Sequence, residues 1–353
     1  SSDTTSGTGK QEQRNSSAEA TATAAMSPQQ QQQQQQSPPH HAPNSTTLPL
    51  PNENGMIVFF LHIPKTGGTT IKAPFEHNPA WRYRMVYGHQ KQKQYRKEMY
   101  DTLNHWQPRN VFYEYHAGIN KPYMDPQVRE DLLVWKAMAQ IRNIPFFAFT
   151  IVREPTSMAM SHFNFYYASR KTPDPRYYWR PNPTEADFLE LSLPNPQCLF
   201  AWQSEHAYYQ EYREQQLGPV NMTQAQCQQL YQTLQHDMDW IGTTETLQTD
   251  TFPLLEQISQ VRYCPYRMNE NWRVKWHWHN LTDAGLRHIQ ETTAYDRDMY
   301  ERVQRDFSVS QFHNLDPPVW KINPKKKRCL YPKGEGDGLL LQHQGKQQTA
   351  QLQ

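Results

Sequence analysis

The sequence predicts an α/β fold, with a mostly parallel central sheet of about four to five strands flanked by helices. Two observations carry this prediction. Apolar runs of strand length alternate with segments of helical spacing along the chain, and such alternation produces parallel sheets with right-handed crossovers. The first apolar run, Met56 to Leu61, is followed at Pro64 by a lysine, two glycines and three hydroxyl residues. We interpret this segment as a strand, a tight turn and a helix that begins at Ile71.

The remaining elements are predicted from local patterns. Asp125 is a typical N-cap and Pro126 a typical first helical residue, so a helix is expected over 125–142. Another helix begins at about Pro155, and Pro74 is expected to shorten the helix after the first strand. Further strands are predicted at 84–87, 111–115, 146–152 and 238–242, further helices at 251–260 and 282–307, and a long ordered loop at 170–196.

Composition divides the chain into three regions. Residues 1–54 consist mainly of Ser, Thr, Gln, Pro and Ala, with a glutamine run at 29–36, and are predicted to be a disordered stem. Residues 55–332 are predicted to form one folded domain of α/β size. The polar residues 333–353 are predicted to be a flexible tail.

Charge and hydropathy narrow the range of partners. The formal net charge of +2 over 353 residues gives no reason to expect a nucleic acid as partner. The sequence contains no run of 18 apolar residues, so no membrane-spanning helix is predicted. The chain begins at Ser1, and we expect that a preceding segment such as a signal anchor has been removed. Membrane association would depend on that anchor.

The cysteines and glycosylation sequons favour the secretory pathway. Four cysteines occur without a C-x-x-C pair, which argues against a zinc ribbon, and their even number permits two disulfides in three pairings. Pairing of sequence neighbours would join Cys198 to Cys227 and Cys264 to Cys329. We expect a lumenal protein, and the alternative is a cytosolic protein with four reduced thiols. The sequons that support the lumen are at Asn15, Asn44, Asn221 and Asn280.

The segment 63–70 has the features of an anion-binding loop. Gly67 and Gly68 allow a sharp turn that points backbone N–H groups inward, and the following helix adds partial positive charge. Lys65 supplies a full charge, so a phosphate or sulfate group is the predicted ligand. The lysine precedes the glycines, whereas ATP- and GTP-binding loops have it after them. An ordinary nucleoside triphosphate is therefore not favoured.

A second anion site is predicted after the strand at 146–152. Arg153 follows that strand directly, beside the start of a helix, so its guanidinium is expected at the sheet edge where α/β proteins bind ligands. Ser161 lies within two helical turns, and its hydroxyl can reach the same anion. A serine that faces solvent or bonds to its own backbone is the ordinary alternative.

Together these segments resemble the two cofactor motifs of sulfotransferases. The match consists of Pro-Lys-Thr-Gly-Gly-Thr-Thr after the first strand, and of Arg-x-Pro with a serine eight residues beyond the arginine. Such enzymes use 3'-phosphoadenosine 5'-phosphosulfate (PAPS) on a P-loop-like α/β domain, and they release 3'-phosphoadenosine 5'-phosphate (PAP). The resemblance implies that Arg153 and Ser161 bind the 3'-phosphate. It also implies that the 5'-phosphosulfate is held by Lys65, Thr66, Gly67, Gly68, Thr69 and Thr70.

The sequence most resembles the Golgi polysaccharide group that includes heparan and dermatan uronyl 2-O-sulfotransferases. Residues 112–116 match that group's Phe-Tyr-x-x-His strand, and 240–245 match its late strand, which ends in Gly-x-Thr-Glu. The resemblance implies that His116 is the general base, while Glu114 on the same strand face is the competing base. Lys65 would stabilise the leaving phosphate oxygen, and no metal is required. The family's substrate loops are not recognisable, so the acceptor stays open.

We therefore expect a Golgi-lumenal enzyme that transfers sulfate to a hydroxyl of a polysaccharide or other glycan. A P-loop-type nucleotide kinase and a non-catalytic lumenal glycan-binding protein with the same fold are the alternatives. Two other signals are weaker. His277 and His279 lack an obvious third metal ligand, and Lys325 to Arg328 is a basic run that resembles a polyanion patch or a localisation signal.

Overall fold

The computed structural model describes most of the central domain. The described residues are 48–86, 89–117, 121–168, 182–203, 222–261, 263, 280–312, 321–323 and 328–330, with side chains for all except 89–92, 311, 321–323 and 328–330. The predicted stem and tail lie largely outside these ranges and stay predictions, as do the sites at 277–279 and 325–328. Within the described ranges, no helix combines the length and apolarity that crossing a membrane demands.

Strands and helices alternate along the described chain. The main sheet contains β1 (Gly55–His62), β2 (Trp81–Val86), β3 (Arg109–His116), β4 (Phe146–Val152) and β5 (Trp240–Thr243), and a separate antiparallel pair consists of β6 (Lys321–Asn323) and β7 (Arg328–Leu330). The helices are α1 (Gly68–Glu76), α2 (His89–Asn104), α3 (Pro126–Ile141), α4 (Pro155–Phe163), α5 (Glu185–Leu191), α6 (Pro196–Trp202), α7 (Gln224–Asp237), α8 (Phe252–Ser259), α9 (Asp283–Thr292) and α10 (Ala294–Asp306).

The main sheet has the strand order β2-β3-β1-β4-β5, and all its pairings are parallel. The predicted α/β fold class is therefore confirmed, with five strands. From β1 the chain runs to the edge strand β2, returns to β3, and then passes β1 to reach β4. The carboxyl ends of β1, β3 and β4 meet where this path changes direction, which is the place where open α/β sheets bind ligands.

Both faces of the sheet are covered, which explains why β1 is almost continuously apolar. Phe59 and Leu61 belong to a buried cluster that includes side chains of α2, α3, α7 and α10. Val58 and Phe60 belong to a second cluster on the opposite face, with side chains of α1 and α8. Because side chains alternate along a strand, His62 at the end of β1 lies on the α1 face.

Local capping signals predicted the starts of two helices. The Asp125 side chain accepts a hydrogen bond from the backbone N–H of Gln127, and Pro126 is the first residue of α3, as predicted. Pro155 likewise begins α4. The predicted strand at 146–152 coincides with β4.

Several predicted boundaries were wrong. Helix α1 begins at Gly68, three residues before the predicted start at Ile71, and Pro74 lies inside it, two residues before its end at Glu76. Strand β2 begins three residues earlier than predicted, at Trp81, and β5 is shifted toward its carboxyl end. The predicted loop at 170–196 contains α5, whose first turn is fixed by reciprocal hydrogen bonds between Thr184 and Asp187. Helices α2, α6 and α7 were not predicted.

The helix predicted over 282–307 is two helices, α9 and α10. At the break, the buried Thr293 donates its hydroxyl to the carbonyl of Ile289 at 2.7 Å. The Asn195 side chain then accepts hydrogen bonds from the N–H groups of Tyr295 and Asp296, at 2.9 and 3.1 Å, and so caps α10. The cap comes from a residue about a hundred positions away, so local periodicity did not predict the break.

Candidate active site

The loop after β1 is a fixed turn that leads directly into α1. Lys65 and Gly67 have left-handed backbones, with φ of 68° and 90°, a region that a lysine rarely adopts. The buried Thr66 stabilises the turn by donating its hydroxyl to the carbonyl of Ile63 at 2.7 Å. The first N–H groups of any α-helix have no acceptor within the helix, and no described side chain caps α1. The predicted anion-binding loop is therefore consistent with the observed geometry.

The side chain of Lys65 turns toward α4. Its Nζ lies 3.8 Å from the centre of the Phe165 ring, which belongs to a π-helical turn that continues α4. Phe165 is 43% exposed, although it is a large apolar residue. The lysine charge is thus held at the rim of the loop by a cation–π contact.

The two predicted anion sites are adjacent. The Nη1 atom of Arg153 donates to the carbonyl oxygen of Lys65 at 3.0 Å, which ties the end of β4 to the loop after β1. Gln197 fixes the backbone of Arg153 through two hydrogen bonds, from the arginine N–H at 2.6 Å and to the arginine carbonyl at 2.8 Å. The guanidinium therefore stands beside the loop, and it is half-buried.

The helix end beside Arg153 does not have the open geometry that the sequence indicated. Glu154 caps α4 by accepting from the N–H groups of Thr156 and Ser157 at 3.0 and 2.6 Å. Burial would raise the pKa of Glu154, but these backbone hydrogen bonds hold it below its ordinary value. The start of α4 is thus occupied by a carboxylate. Ser161 is half-buried further along α4, and its place beside the same anion as Arg153 stays a prediction.

His116 lies at the end of β3, in direct register with His62 at the end of β1. The His116 ring is half-buried. Burial, and then the nearby charges of His62, Lys72 and Lys65, lower its pKa well below its ordinary value. The imidazole is therefore neutral at neutral pH, as a general base must be, although the lowered pKa also makes it a weaker base.

Glu114, the competing base, does not reach the surface. Its side chain has no exposed area. One carboxylate oxygen lies 2.6 Å from Nδ1 of His62, and the other accepts a hydrogen bond from the Tyr83 hydroxyl. Both oxygens are thus engaged inside the protein, and an external hydroxyl group could not approach them.

His62 and Gln197 were missed by the sequence reasoning. His62 directly precedes the predicted loop and its position at a strand end was a usable signal. Gln197 carried no such signal. The segment after β5 is also part of this edge: Thr244 donates its hydroxyl to the carbonyl of Val152 at 3.2 Å, and Glu245 accepts from the N–H of Glu154 at 3.3 Å.

One predicted disulfide is confirmed. Cys198 in α6 is bonded to Cys227 in α7, whereas Cys264 lies outside the described residues, so its pairing with Cys329 stays a prediction. Among the described residues, the one close group of metal-ligating side chains is Cys198, Cys227 and Asp296. Its two sulfur atoms are joined to each other, so that group offers no thiolate ligands.

Comparison with known proteins does not identify the family of this chain. No protein-family model matches the chain, and no curated protein matches it. Among solved structures, the chain is similar to a mouse sulfotransferase, SULT7A1, complexed with PAP, with 15% sequence identity, a TM-score of 0.31, and coverage of 70% of this chain and 67% of that one. At this TM-score the likeness establishes neither a shared fold nor a shared activity.

Proposed function

We propose that this protein transfers a sulfuryl group from PAPS to a hydroxyl group of a glycan. The observation that carries the proposal is that the predicted site residues lie together at the carboxyl ends of β1, β3 and β4. The loop after β1, with Lys65 and the uncapped start of α1, is tied to Arg153 after β4, and His116 lies at the end of the neighbouring strand β3. Two cationic groups beside one proton acceptor suit a donor that carries two separated anionic groups.

The residues present fit this donor. The first N–H groups of α1 and the ammonium group of Lys65 would hold the 5'-phosphosulfate, and Arg153 with Ser161 would hold the 3'-phosphate. When bound, the donor supplies a sulfuryl group whose bond to the 5'-phosphate breaks as the acceptor oxygen bonds to sulfur. The neutral His116 would accept the proton that leaves the acceptor hydroxyl. Lys65 would stabilise the negative charge that develops on the departing phosphate oxygen.

The compartment and the acceptor are also proposals. The disulfide between Cys198 and Cys227 supports an oxidising compartment, because such bonds persist in the secretory pathway. We therefore infer a Golgi-lumenal enzyme. A polysaccharide hydroxyl as acceptor is supported by the resemblance of 112–116 and 240–245 to polysaccharide sulfotransferases.

The proposal is tested with radiolabelled PAPS and a panel of desulfated polysaccharides. We expect Lys65→Ala to lower kcat by about 10² to 10³-fold, the usual effect of removing one charge-stabilising group, and to weaken PAP binding in calorimetry. We expect His116→Ala to lower kcat by about 10² to 10⁴-fold while PAP binding is kept. Lys93→Ala and His105→Ala, at exposed positions of α2 and of the turn after it, are the matched controls.

Three outcomes would contradict the proposal. Full sulfate transfer by either active-site variant would remove the role assigned to that residue. Phosphate transfer from labelled ATP, without sulfate transfer, would identify a kinase. Binding of glycans without any binding of PAP would indicate a non-catalytic glycan-binding protein.

A further inference from the structure

A carboxylate is buried beneath the candidate base. Glu114 has no exposed area and lies on the sheet face that also carries Phe60 and Phe112, which are fully buried in the cluster against α1. Placing an ionised carboxylate beside aromatic rings carries a large desolvation cost, and apolar side chains of similar volume are often as stable there. The reason for this carboxylate should therefore lie in its partners.

The hydrogen-bond partners of Glu114 favour its ionised form, and Glu114 in turn orients the ring of His62. Burial would raise the pKa of Glu114, but the hydrogen bonds from His62 and Tyr83 hold it below its ordinary value. An ionised carboxylate can only accept hydrogen bonds. The nitrogen that faces it, Nδ1 of His62 at 2.6 Å, is therefore the donor, and this contact sets the orientation of the imidazole ring.

The His62 ring touches both halves of the candidate site. Its centre lies 4.4 Å from the centre of the His116 ring, which it meets edge-on at 68°. The ring likewise lies against the first residue of α1, since a Cβ atom on Gly68 would come within 2.1 Å of Nε2 of His62. The ring also stacks on Phe60, with centres 5.3 Å apart. A single ring thus contacts both the start of α1 and the candidate base.

We propose that His62, held by Glu114, is a positioning residue that sets the distance between the anion loop and the ring of His116. The inference rests on the proposed function, because it assigns His62 a part in bringing the acceptor hydroxyl and the sulfuryl group into line. It acts through its neighbours, since only 11% of the His62 side chain is exposed. A misplacement of about 1 Å at such a position is enough to cost about 10²-fold in rate.

The first test removes the ring and keeps the hydrogen bond. In His62→Asn, the side-chain amide can still donate to Glu114, but it no longer reaches Gly68 and His116. We expect kcat to fall about 10²-fold, with a much smaller change in the Kd of PAP. In a His116→Ala background the same substitution should add no further loss, because the two residues act as one unit. A wild-type kcat in His62→Asn, or an equal loss in both backgrounds, would overturn the proposal.

The second test uses the contact between His62 and Gly68. Gly68→Ala forces a methyl group against the ring, and we expect Tm to fall by roughly 3 to 10 °C, as overpacking does. The double variant Gly68→Ala/His62→Asn makes room for that methyl group. Its Tm should recover toward the wild-type value while its kcat stays low. Failure of Tm to recover, or recovery of kcat together with Tm, would contradict a positioning role.

The proposed function and the positioning role of His62 can fail separately. If the wild-type protein neither transfers sulfate nor binds PAP, the proposed function is wrong. The melting temperatures of the single and double variants do not depend on activity, and in that case they still decide whether His62 supports the start of α1. An unrestored Tm would then overturn the inference as well.

Discussion

Gln197 holds the backbone at the end of β4 through both ends of its side-chain amide. It accepts a hydrogen bond from the N–H of Arg153 and donates one to the carbonyl of the same residue, at 2.6 and 2.8 Å. Gln197 itself has no exposed area. The direction of the Arg153 side chain, which reaches the carbonyl of Lys65, therefore depends on a residue of another element.

Replacing Gln197 by leucine should weaken nucleotide binding. The change keeps the side-chain size but leaves two backbone groups of Arg153 without their partners, at a cost of about 1 to 3 kcal/mol for each buried group. We expect the affinity for PAP to fall by about tenfold or more and the free energy of unfolding to fall as well; calorimetry and urea denaturation measure the two effects. Gln232→Leu, at an exposed position of α7, is the control. An unchanged PAP affinity would show that Arg153 keeps its position unaided.

The residues of the site could be predicted from the sequence where a short local pattern marks them. Lys65, His116 and Arg153 each stand at the carboxyl end of an apolar run, and the edge they share follows from parallel strands alone. Glu114 and His62 are 52 residues apart, and Arg153 and Gln197 are 44 apart. Their contacts follow from strand order and helix packing, which no short pattern in the sequence encodes.

The disulfide joins α6, which carries Gln197, to α7. Cys198 lies in α6 next to Gln197, and Cys227 lies in the first turn of α7, with Cα atoms 5.4 Å apart. The carboxylate of Asp296 also holds the start of α6, since it accepts from the N–H groups of Gln197 and Cys198 at 2.8 and 2.9 Å. Helix α6 is thus tied to both α7 and α10.

Removing the disulfide should lower stability without changing the fold. The bond closes a loop of 29 residues, for which the loss of chain entropy in the unfolded state corresponds to about 3 to 4 kcal/mol. We expect Cys198→Ala/Cys227→Ala to lose a free energy of unfolding of that order, measured by urea denaturation. Cys198→Ala alone should lose a similar amount, since it also breaks the bond. Equal stability of wild type and double variant would contradict the prediction.

At the scale of elements, the sequence predicted a helix end correctly where the capping residue lies next to that end in the chain. Asp125, Pro126 and Pro155 act within one turn of the helices that they begin, so both ends of α3 and the start of α4 were predicted almost to the residue. The break between α9 and α10 depends on Asn195, which is distant in sequence. Helix α7 has a capping box of Thr223 and Gln226, a local signal that the sequence reasoning overlooked.

At the scale of the whole molecule, the class of the sheet was predictable but its strand order was not. Alternating strands and helices require a parallel sheet, and the crossover rule restricts which face each helix covers. Neither the alternation nor the crossover rule requires β2 to lie at the edge of the sheet, or β3 to lie beside β1. That order follows from which apolar faces pack together, with α1 on one face of the sheet and α2 and α3 on the other.

Buried histidines link the stability of the whole domain to pH. His162 is fully buried in α4 among the rings of Tyr166 and Phe200. Burial, with a smaller contribution from the charge of Lys65, lowers its pKa to about 3. An unfolded histidine has a pKa of about 6.5, so the unfolded chain binds more protons between these two values. Stability contributed by the neutral ring is therefore present above about pH 6.5 and is lost as the pH falls.

We expect His162→Met to reduce the loss of stability in mild acid. At pH 5 the wild-type ring stays neutral about 1.5 units below its unfolded pKa, which corresponds to about 2 kcal/mol. The difference between the free energies of unfolding at pH 7 and pH 5 should be smaller in the variant by about this amount, even if its stability at pH 7 is lower. Urea denaturation at the two pH values measures it, and His105→Gln provides an exposed histidine for comparison. An identical pH dependence in His162→Met and wild type would show that protons taken up on unfolding bind elsewhere, because methionine cannot titrate in this range.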